Sequence, residues 1–200
     1  MISSAGLLLA AGKGTRFDQS GIENKLLARS RDGVPVITYS ALNLAAAVEN
    51  RIAVIRPGAA NVRKHLKLAG YLVIECPDAA SGMGHSLAWG VAEAMKHFDM
   101  QMLIVALADM PSVQTSTMTV LLEAAEKTEN IVAPVFQGKR GNPVVFREKH
   151  FEKLSRLTGD RGASQFMKNE KVTLIEVDDP GIHRDIDSPE DLEKLTLNRP

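Results

Sequence analysis

The sequence predicts an α/β fold in which helices cover both faces of a mixed, mostly parallel sheet. Short apolar runs alternate with amphipathic stretches through residues 1–110, the pattern of strand–helix–strand units joined by right-handed crossovers. With 200 residues and a hydrophobic content of 44%, the chain has the size and composition of one globular domain. No repeat, low-complexity run or linker divides it, so we expect a single domain over residues 1–200.

The individual elements follow from the spacing of the apolar residues. Short β-rich runs predict strands at residues 5–10, 51–55, 71–75, 102–106, 131–136, 143–146 and 172–177. Apolar residues at every third or fourth position predict helices at residues 37–48, 61–68, 86–98 and 115–126. Ser188, followed by a proline and two acidic residues, predicts the start of a last helix. Residues 137–141, between two apolar strands, predict a hairpin or an excursion of the chain, so the second half should make the sheet mixed.

Charge and cysteine content exclude several classes of function. Lys plus Arg and Asp plus Glu both number 24, so no global basic field favours nucleic acid or an anionic membrane as a partner. Cys76 is the single cysteine, which excludes an intrachain disulfide and a cysteine metal cluster, and we expect it to be a small buried residue. The apolar segment 5–11 is too short to span a bilayer, so a cytoplasmic location is expected.

The most informative segment is the glycine-containing loop after the first predicted strand, with the sequence LLLAAGKGTRF at residues 7–17. Small residues let the backbone approach an anion, consecutive N–H groups can point at phosphate oxygens, and Lys13 and Arg16 add charge. The loop matches neither a dinucleotide fingerprint, which would need glycine in place of Phe17, nor a P-loop. It therefore predicts a phosphate site of another kind, with a plain tight turn as the alternative.

Parallel sheets bind ligands beyond the carboxyl ends of their strands, and this rule brings three segments together. The glycine loop, residues 77–86 and residues 108–111 follow the first, third and fourth predicted strands, so all three should line one crevice. Asp109 ends an intensely apolar run, where a carboxylate needs a partner such as a divalent metal or a helix N-terminus. The alternative is that Asp109 only caps the following helix.

A second acidic pair precedes the last predicted helix. In an extended segment Asp185 and Asp187 project to the same face, with Ile186 on the other. Two carboxylates from distant parts of the chain, together with phosphates, are the usual surroundings of magnesium, which keeps some of its waters. Asp187 could instead be a simple turn residue ahead of the helix.

Two further features could serve a nucleotide. Lys25 precedes an apolar pair and could swing its ammonium group over bound phosphates, or could be a surface lysine. The turn of Gly82, Met83 and Gly84 could present backbone groups to a base or ribose, or could simply start the next helix with Ser86 as its N-cap. The histidines are isolated and no Ser-His-Asp or Cys-His pattern stands out, so covalent catalysis is not indicated.

With these residues the chain resembles the MobA-like nucleotidyltransferases, and most closely their molybdenum cofactor cytidylyltransferase branch. The resemblance extends over essentially the whole chain. Its segments are LAAGKGTRF (9–17), NKLL (24–27), GMGHSL (82–87), ADMP (108–111), RGNPV (140–144), LTGDRGA (157–163) and DIDSPEDL (185–192). The first, fourth and last are typical of nucleotidyltransferases of this fold in general. The Gly-Met-Gly and Thr-Gly-Asp-Arg-Gly segments are narrower and indicate the molybdopterin branch.

The resemblance implies a Rossmann-like three-layer α/β/α nucleotidyltransferase fold. It also implies magnesium-dependent transfer of CMP from CTP to the terminal phosphate of molybdopterin, with release of pyrophosphate. Arg16 and Lys25 would hold the triphosphate and, with Asp109, would be catalytic. Asp109 and Asp185 would hold the metal, with Asp187 assisting. The implied nucleotide site comprises Leu9, Ala10, Ala11, Gly12, Lys13, Gly14, Thr15, Arg16, Lys25, Gly82, Met83, Gly84 and Ser86.

Preferences for the base and the acceptor are also implied by the resemblance. In the family, Ala-Ala-Gly at the start of the loop accompanies CTP, whereas Ala-Gly-Gly accompanies GTP. This chain has Ala-Ala-Gly at 10–12, and the methyl group of Ala11 would narrow the base pocket against a purine. Arg140, Asn142 and Arg161 are the expected acceptor-binding residues. The relatives usually carry His where this chain has Asn142, so the acceptor could differ.

The implied partners are a nucleotide and a pterin phosphate, with a molybdenum hydroxylase as the enzyme that would receive the product. Neither nucleic acid nor a membrane is expected. Three alternatives stay open: nucleotidyl transfer to another phosphate, such as that of a sugar alcohol or an isoprenoid precursor; a non-catalytic carrier or maturation chaperone for the molybdenum cofactor; and a degenerate relative with redox activity. The intact acidic set of Asp109, Asp185 and Asp187 favours catalysis over simple binding.

Overall fold

The computed structural model describes residues 2–14, 17, 24–159, 162–193 and 195, and within them the chain forms one eight-stranded mixed sheet. The strands are β1 (Ser4–Ala10), β2 (Asn50–Ile55), β3 (Leu72–Glu75), β4 (Met102–Leu107), β5 (Ile131–Phe136), β6 (Lys139–Arg140), β7 (Val144–Arg147) and β8 (Val172–Glu176). Every strand expected from the sequence is present, with its ends within one residue of the expected positions. The hairpin expected at residues 137–141 is formed by β5 and β6.

The helices of the described residues vary widely in length. They are α1 (Val36–Ala47), α2 (Ala60–Leu68), α3 (Met83–His97), α4 (Thr115–Glu126), α5 (Phe151–Leu154), α6 (Gly162–Met167) and α7 (Pro189–Glu193), with short 3₁₀ turns at Ala79–Ser81, Glu148–His150 and Pro180–His183. The sequence pattern does not predict α5 and α6, because helices of four and six residues are too short to show a helical period. The expected start of α3 is wrong: Gly82, at φ +121°, takes the N-cap position, and Ser86 is buried in the first turn.

The sheet combines a parallel half with an antiparallel half. β1 lies between β2 and β4 and is parallel to both, and β3 adds in parallel to β2. β7 joins β4 in the antiparallel direction, and β5 pairs antiparallel with β6 and β7 and parallel with β8. The carboxyl ends of β1, β2, β3 and β4 therefore share one edge of the sheet, which is the edge where an α/β fold of this kind binds its ligand.

Two apolar layers, one on each face of the sheet, hold the helices in place. One layer joins α1, α2 and α4 to the sheet through side chains such as Leu44 and Leu121. The other joins α3, α5 and α6 through side chains such as Leu87. Neighbouring residues of β1 enter opposite layers, Leu8 the first and Leu7 the second, as the period of a strand requires. The result is the Rossmann-like three-layer α/β/α architecture.

Two further expectations from the sequence concern the burial of Cys76 and the possibility of a membrane-spanning segment. Cys76 is fully buried, with its Sγ atom 3.9 Å from the carbonyl oxygen of His85, and burial raises the pKa of the thiol. It is therefore the small, uncharged interior residue that the sequence predicts. None of the helices within the described residues is both long and apolar enough to cross a bilayer.

Candidate active site

Asp109 lies just beyond the carboxyl end of β4, and three hydrogen bonds hold the backbone of Asp109 and of its neighbour Ala108. The N–H of Ala108 donates to the carbonyl oxygen of Leu9 in β1 (3.0 Å), and the hydroxyl of Ser40 in α1 donates to the carbonyl oxygen of Ala108 (2.8 Å). The N–H of Ile186 donates to the carbonyl oxygen of Asp109 itself (2.8 Å). This last bond ties the acidic segment before α7 directly to the end of the central strand.

The ammonium group of Lys25 joins the two acidic segments at one point. Its Nζ atom lies 2.6 Å from Oδ2 of Asp109 and 3.3 Å from Oδ1 of Asp187. The exposed fractions of these side chains are 10% for Lys25, 22% for Asp109 and 25% for Asp187, so water screens the ion pairs only in part. Burial acts to lower the pKa of Lys25, but the two carboxylates outweigh it and raise that pKa above 10.5. The lysine therefore stays charged at neutral pH.

The position of Lys25 is set by the turn that carries it. The N–H of Leu27 donates to the carbonyl oxygen of Asn24 (2.8 Å), the N–H of Leu26 donates to the side-chain oxygen of Asn24 (3.0 Å), and Leu26 is buried in the core. From this anchor the stem of Lys25 runs over Gly14, which has a φ of +66°. A Cβ atom at Gly14 would lie 3.2 Å from Cγ of Lys25, so the glycine also makes room for the lysine.

The acidic segment before α7 is held by a capping box. Oδ2 of Asp191 accepts hydrogen bonds from the N–H groups of Asp187 (3.1 Å) and Ser188 (2.9 Å), and the Ser188 hydroxyl accepts from the N–H of Asp191 (3.3 Å). Ile186 is buried, whereas Asp185 before it in the chain is exposed and Asp187 after it is partly exposed. Partial burial raises the pKa of Asp185, and the charges of Asp187 and Asp109 raise it further. The carboxyl groups of Asp185, Asp187 and Asp109 therefore lie close enough to interact electrostatically.

A cavity of about 350 Å³ opens beside Asp109 at the carboxyl ends of β1 and β4. Its walls bring together the glycine loop, the turn that begins α3 and the end of β4, as the rule for parallel sheets predicts. They consist of Leu9, Ala11, Gly12, Lys13, Ala79, Ala80, Gly82, Met83, Ser86, Leu107 and Asp109. Gly12 and Lys13 are exposed, and a Cβ atom at Gly12 would meet no other atom within 4 Å, so the loop is open to a ligand.

A second cavity, of about 390 Å³, adjoins the first and shares Leu9, Met83 and Leu107 with it. Arg140 and Asn142 line it together with Ala163, Ser164 and Met167 of α6, and most of its remaining walls are apolar. A third cavity, of about 480 Å³, is lined by residues 183–187 together with Ser112, Asp191 and Leu195. The acids before α7 thus border a cavity of their own.

Not every residue expected at the site can be located. Thr15, Arg16 and Arg161 lie outside the described residues. Ala10 ends β1 and packs in the core, and Gly14 lies four residues beyond it. Gly84 lies in the first turn of α3, between Met83 and Ser86, which line the first cavity.

One contact that shapes the site is not predicted by the sequence. The N–H of Gly84, in the first turn of α3, donates to the carbonyl oxygen of Gly159 (2.8 Å). A Cβ atom at Gly84 would lie 2.6 Å from that oxygen and 2.8 Å from the carbonyl oxygen of Thr158. The segments around Gly84 and around Gly159, on which the prediction of the molybdopterin branch rests, therefore touch each other. The recurrence of glycine in both segments is the signal that could have found this contact.

The carboxylates suit a divalent cation, although the protein alone does not enclose one. No three Asp, Glu, His or Cys side chains in the described part of the chain are arranged to hold a metal ion. Asp109 and Asp187 nevertheless share one cationic atom, Nζ of Lys25, so their oxygens already converge on a point of positive charge. Magnesium commonly takes only one or two carboxylates and completes its shell with substrate phosphates and water. The donor set fits that pattern.

Comparison with proteins of known sequence gives two partial relatives. Purine catabolism protein PucB of Bacillus subtilis (strain 168) is 29% identical over 123 residues, which are 60% of this chain and 58% of PucB. Bifunctional protein GlmU of Geobacter sulfurreducens is 28% identical over 144 residues, which are 72% of this chain and 29% of GlmU. The chain thus spans less than two thirds of the length of either relative.

Comparison of structures extends the likeness to the whole fold. The crystal structure of Rv0371c from Mycobacterium tuberculosis H37Rv has a TM-score of 0.80 and 24% identity, covering 97% of this chain and 98% of that one. A complex of the same protein with manganese has a TM-score of 0.75 at 24% identity, covering 94% and 95% of the two chains. At this identity the likeness establishes the fold.

The family follows from a match along most of the sequence. The family model described as the MobA-like NTP transferase domain matches residues 6–174, a span that contains the glycine loop, Lys25, Asp109 and the central strands that border the first two cavities. The chain belongs to the MobA-like NTP transferase family.

Proposed function

We propose that this protein is a magnesium-dependent cytidylyltransferase. It would transfer CMP from CTP to the terminal phosphate of molybdopterin or a closely related pterin phosphate, releasing pyrophosphate. The observation that carries the proposal is the convergence of Lys25, Asp109 and Asp187 on one point beside the open glycine loop. A site that only stored a nucleotide would have little use for two carboxylates next to its phosphates.

The reaction needs positioning and charge neutralisation more than covalent chemistry from the protein. An oxygen of the acceptor phosphate attacks the α-phosphorus of CTP, and the bond to the bridging oxygen of the β-phosphate breaks. Backbone N–H groups of the glycine loop and the cations Lys13, Arg16 and Lys25 would bind the triphosphate and the departing pyrophosphate. Each neutralises charge that would otherwise repel the incoming phosphate.

The resemblance implies Asp109 and Asp185 as the metal ligands, with Asp187 assisting. We instead assign the magnesium ion to Asp109 and Asp187, because these two carboxylates share Nζ of Lys25, and Asp185 would assist. When bound, the ion supplies positive charge at the phosphates that react. The fit of the donor set supports this assignment, and so does the manganese complex of Rv0371c, a protein of the same fold. The direct hydrogen bond from Ile186 to Asp109 would keep the two acids in register.

A preference for CTP rests on the small size of the first cavity and on Ala11, which is buried in its wall. Cytosine is smaller than guanine, and the methyl group of Ala11 leaves less room for a purine. Met83 and Ser86, on the opposing helix start, would complete the base and ribose surroundings.

The second cavity would take the acceptor. Its largely apolar walls suit a flat ring system, while Arg140, Asn142 and, beyond the described residues, Arg161 would bind polar edges or the phosphate. A molybdenum hydroxylase would then receive the product. Because Asn142 stands where the family resemblance implies a histidine, transfer of CMP to a different phosphate acceptor is the second candidate function.

The test is release of pyrophosphate measured with CTP, GTP and ATP, each in the presence of molybdopterin-type acceptors, sugar-alcohol phosphates and an isoprenoid-precursor phosphate. We expect turnover with CTP and a molybdopterin-type acceptor in magnesium. Turnover with CTP and another phosphate would select the second candidate. Tight binding of the pterin without pyrophosphate release from any nucleotide would contradict enzymatic function and favour a carrier.

A further inference from the structure

The ammonium group of Lys25 pairs with both Asp109 and Asp187, the two carboxylates proposed to hold the metal ion. Its Nζ atom lies within ion-pair distance of both Asp109 and Asp187, and only a tenth of its side chain is exposed. We propose that Lys25 is a tethered cation that fills the carboxylate site of the empty enzyme and moves to the triphosphate when a divalent metal arrives. This inference rests on the proposed function, because it assumes that the carboxylates serve a metal.

The ammonium group and a divalent ion cannot share this site. A metal in contact with both carboxylates would lie within a few ångströms of Nζ, where two positive charges repel strongly in a partly buried setting. Without either cation, Asp109 and Asp187 would repel each other across the same gap. One cation at a time is therefore the favourable arrangement, and in the empty enzyme the chain provides it.

The stem of Lys25 is placed so that the exchange requires only side-chain motion. The backbone is anchored by the turn of Asn24 and by the buried Leu26, while Cγ and Cδ lie against Gly14 of the phosphate loop. Rotation about the last side-chain bonds carries Nζ from the carboxylates toward the loop. Lysine, with its flexible four-carbon stem and point charge, suits this role better than arginine.

The exchange couples the metal to the nucleotide. A metal ion that binds alone must displace the ammonium group of Lys25 to a position without a strong anionic partner. When the metal ion binds together with a triphosphate, the phosphate oxygens become the new partner of the ammonium group. Each ligand therefore raises the affinity of the enzyme for the other, and by linkage the effect is reciprocal.

Binding of Mn²⁺ in the absence of nucleotide tests the proposal directly. Calorimetry or the electron paramagnetic resonance signal of free Mn²⁺ would compare the wild type with Lys25→Met, and with Lys64→Met as the control. Lys64 is an exposed lysine on α2 that lines none of the three cavities, so its loss removes the same unit of charge without changing their walls. We expect Lys25→Met to bind Mn²⁺ about tenfold more tightly than either of the others, because the competing charge is gone.

One result of this experiment would overturn the proposal. If Lys25→Met binds Mn²⁺ no more tightly than the wild type, the lysine does not compete for the site and the proposal is wrong. This experiment contains no CTP and no acceptor, so its failure leaves the pyrophosphate assay as a separate test of the cytidylyltransferase function. Equally, an enzyme that fails to use CTP could still show the exchange.

A second measurement uses only the wild-type chain, in case Lys25→Met folds poorly. Lysine acylation, quantified residue by residue by mass spectrometry, would follow the reactivity of Lys25 with Lys64 as the internal reference. We expect slow labelling of Lys25 in the free enzyme, several-fold faster labelling in saturating Mn²⁺, and slow labelling again when a non-hydrolysable CTP analogue is added. Labelling of Lys25 that does not respond to Mn²⁺ would overturn the proposal.

Discussion

At the scale of single residues, Asp109 connects three parts of the candidate site. It meets Lys25, its backbone receives the N–H of Ile186, and it forms part of the wall of the first cavity. We predict that Asp109→Asn, which keeps the shape and removes the charge, lowers kcat by about 100- to 1,000-fold, the scale of losing one preorganised electrostatic contact. Pyrophosphate release at saturating CTP and magnesium measures this.

The control for that variant is Asp99→Asn, at an exposed residue between α3 and β4. It should turn over at the wild-type rate. Near-normal turnover of Asp109→Asn would remove Asp109 from the proposed mechanism.

The sequence singles out Asp109 and Asp187 as candidate site residues, but it does not predict the contact with Lys25 that joins them. The rule that ligands bind at the carboxyl ends of parallel strands brings the segments of Gly12 and Asp109 together from the order of the predicted strands alone. The pairing of Lys25 with Asp109 and Asp187 spans 84 and 162 residues of chain, and no local pattern encodes it. That contact depends on the direction in which each loop leaves the sheet, which tertiary packing alone decides.

At the scale of elements, α3 and the segment before α6 act together through Gly84. Its N–H bonds to the carbonyl oxygen of Gly159, and there is no space for a methyl group between the two backbones. We predict that Gly84→Ala pushes the segment of Thr158 and Gly159 away from α3 and lowers the free energy of unfolding by about 1–3 kcal/mol, as overpacking does. Urea unfolding measures this loss.

Gly12→Ala is the matched control, because a Cβ atom there would meet no other atom within 4 Å. Its stability should change by less than about 0.5 kcal/mol, the range usual for open surface sites. Hydrogen exchange at the amide of residue 84 adds a local readout, since the bond to Gly159 protects it. Equal stability of Gly84→Ala and wild type would contradict the packing argument.

A buried carboxylate secures the start of α4. Oδ2 of Asp179 accepts hydrogen bonds from the N–H of Gln114 (2.9 Å) and from the hydroxyl of Thr117 (2.7 Å), and Oδ1 accepts from the N–H of Gly181 (2.9 Å). Gln114 is the N-cap residue of α4 and makes no side-chain cap of its own, so a distant residue supplies the cap. The sequence offers no sign of this, since Asp179 and Gln114 are 65 residues apart.

We predict that Asp179→Ala lowers the free energy of unfolding by about 3 kcal/mol, because it leaves buried donors without their charged acceptor. Urea denaturation measures the change. Asp178→Ala, at the exposed neighbouring residue, is the control and should unfold at nearly the wild-type midpoint. Equal midpoints for the two variants would contradict the claim that Asp179 stabilises the start of α4.

At the scale of the whole molecule, stability should depend on pH through His150. This histidine is buried against Phe166 of α6, and burial lowers its pKa below 6.5, although the carboxylate of Glu170 acts in the opposite direction. Lys149 and Lys153 add to the lowering. The unfolded chain therefore takes up this proton before the folded one does, so stability falls as pH decreases through 6.5 toward the lowered pKa.

Thermal unfolding between about pH 7 and pH 5, the range in which histidines titrate, checks this expectation. His150→Gln should lose the part of the pH dependence that comes from this residue. His97→Gln, at a half-exposed histidine beside Glu93, should keep it. Parallel pH curves for wild type and His150→Gln would refute the assignment.

The sequence predicts most of the fold of the molecule and only the outline of its site. Long amphipathic helices such as α3 are predictable because burial on one face imposes a helical period. Strands such as β1 are predictable as short, continuous apolar runs because both of their faces are buried. Short elements such as α6, and contacts such as Gly84 with Gly159, carry no period and arise from packing between distant segments. The site consists largely of the second kind.

The central claim is that the glycine loop and the acids of two remote segments meet on one metal-bridged triphosphate. A crystal structure of the protein with Mn²⁺ and a non-hydrolysable CTP analogue tests it most directly. We predict one anomalous manganese peak within about 2.5 Å of oxygens from Asp109, Asp187 and the triphosphate, with the phosphates against Gly12 and Gly14 and Nζ of Lys25 on a phosphate oxygen. Manganese bound away from Asp109, or a triphosphate bound away from the glycine loop, would contradict the claim.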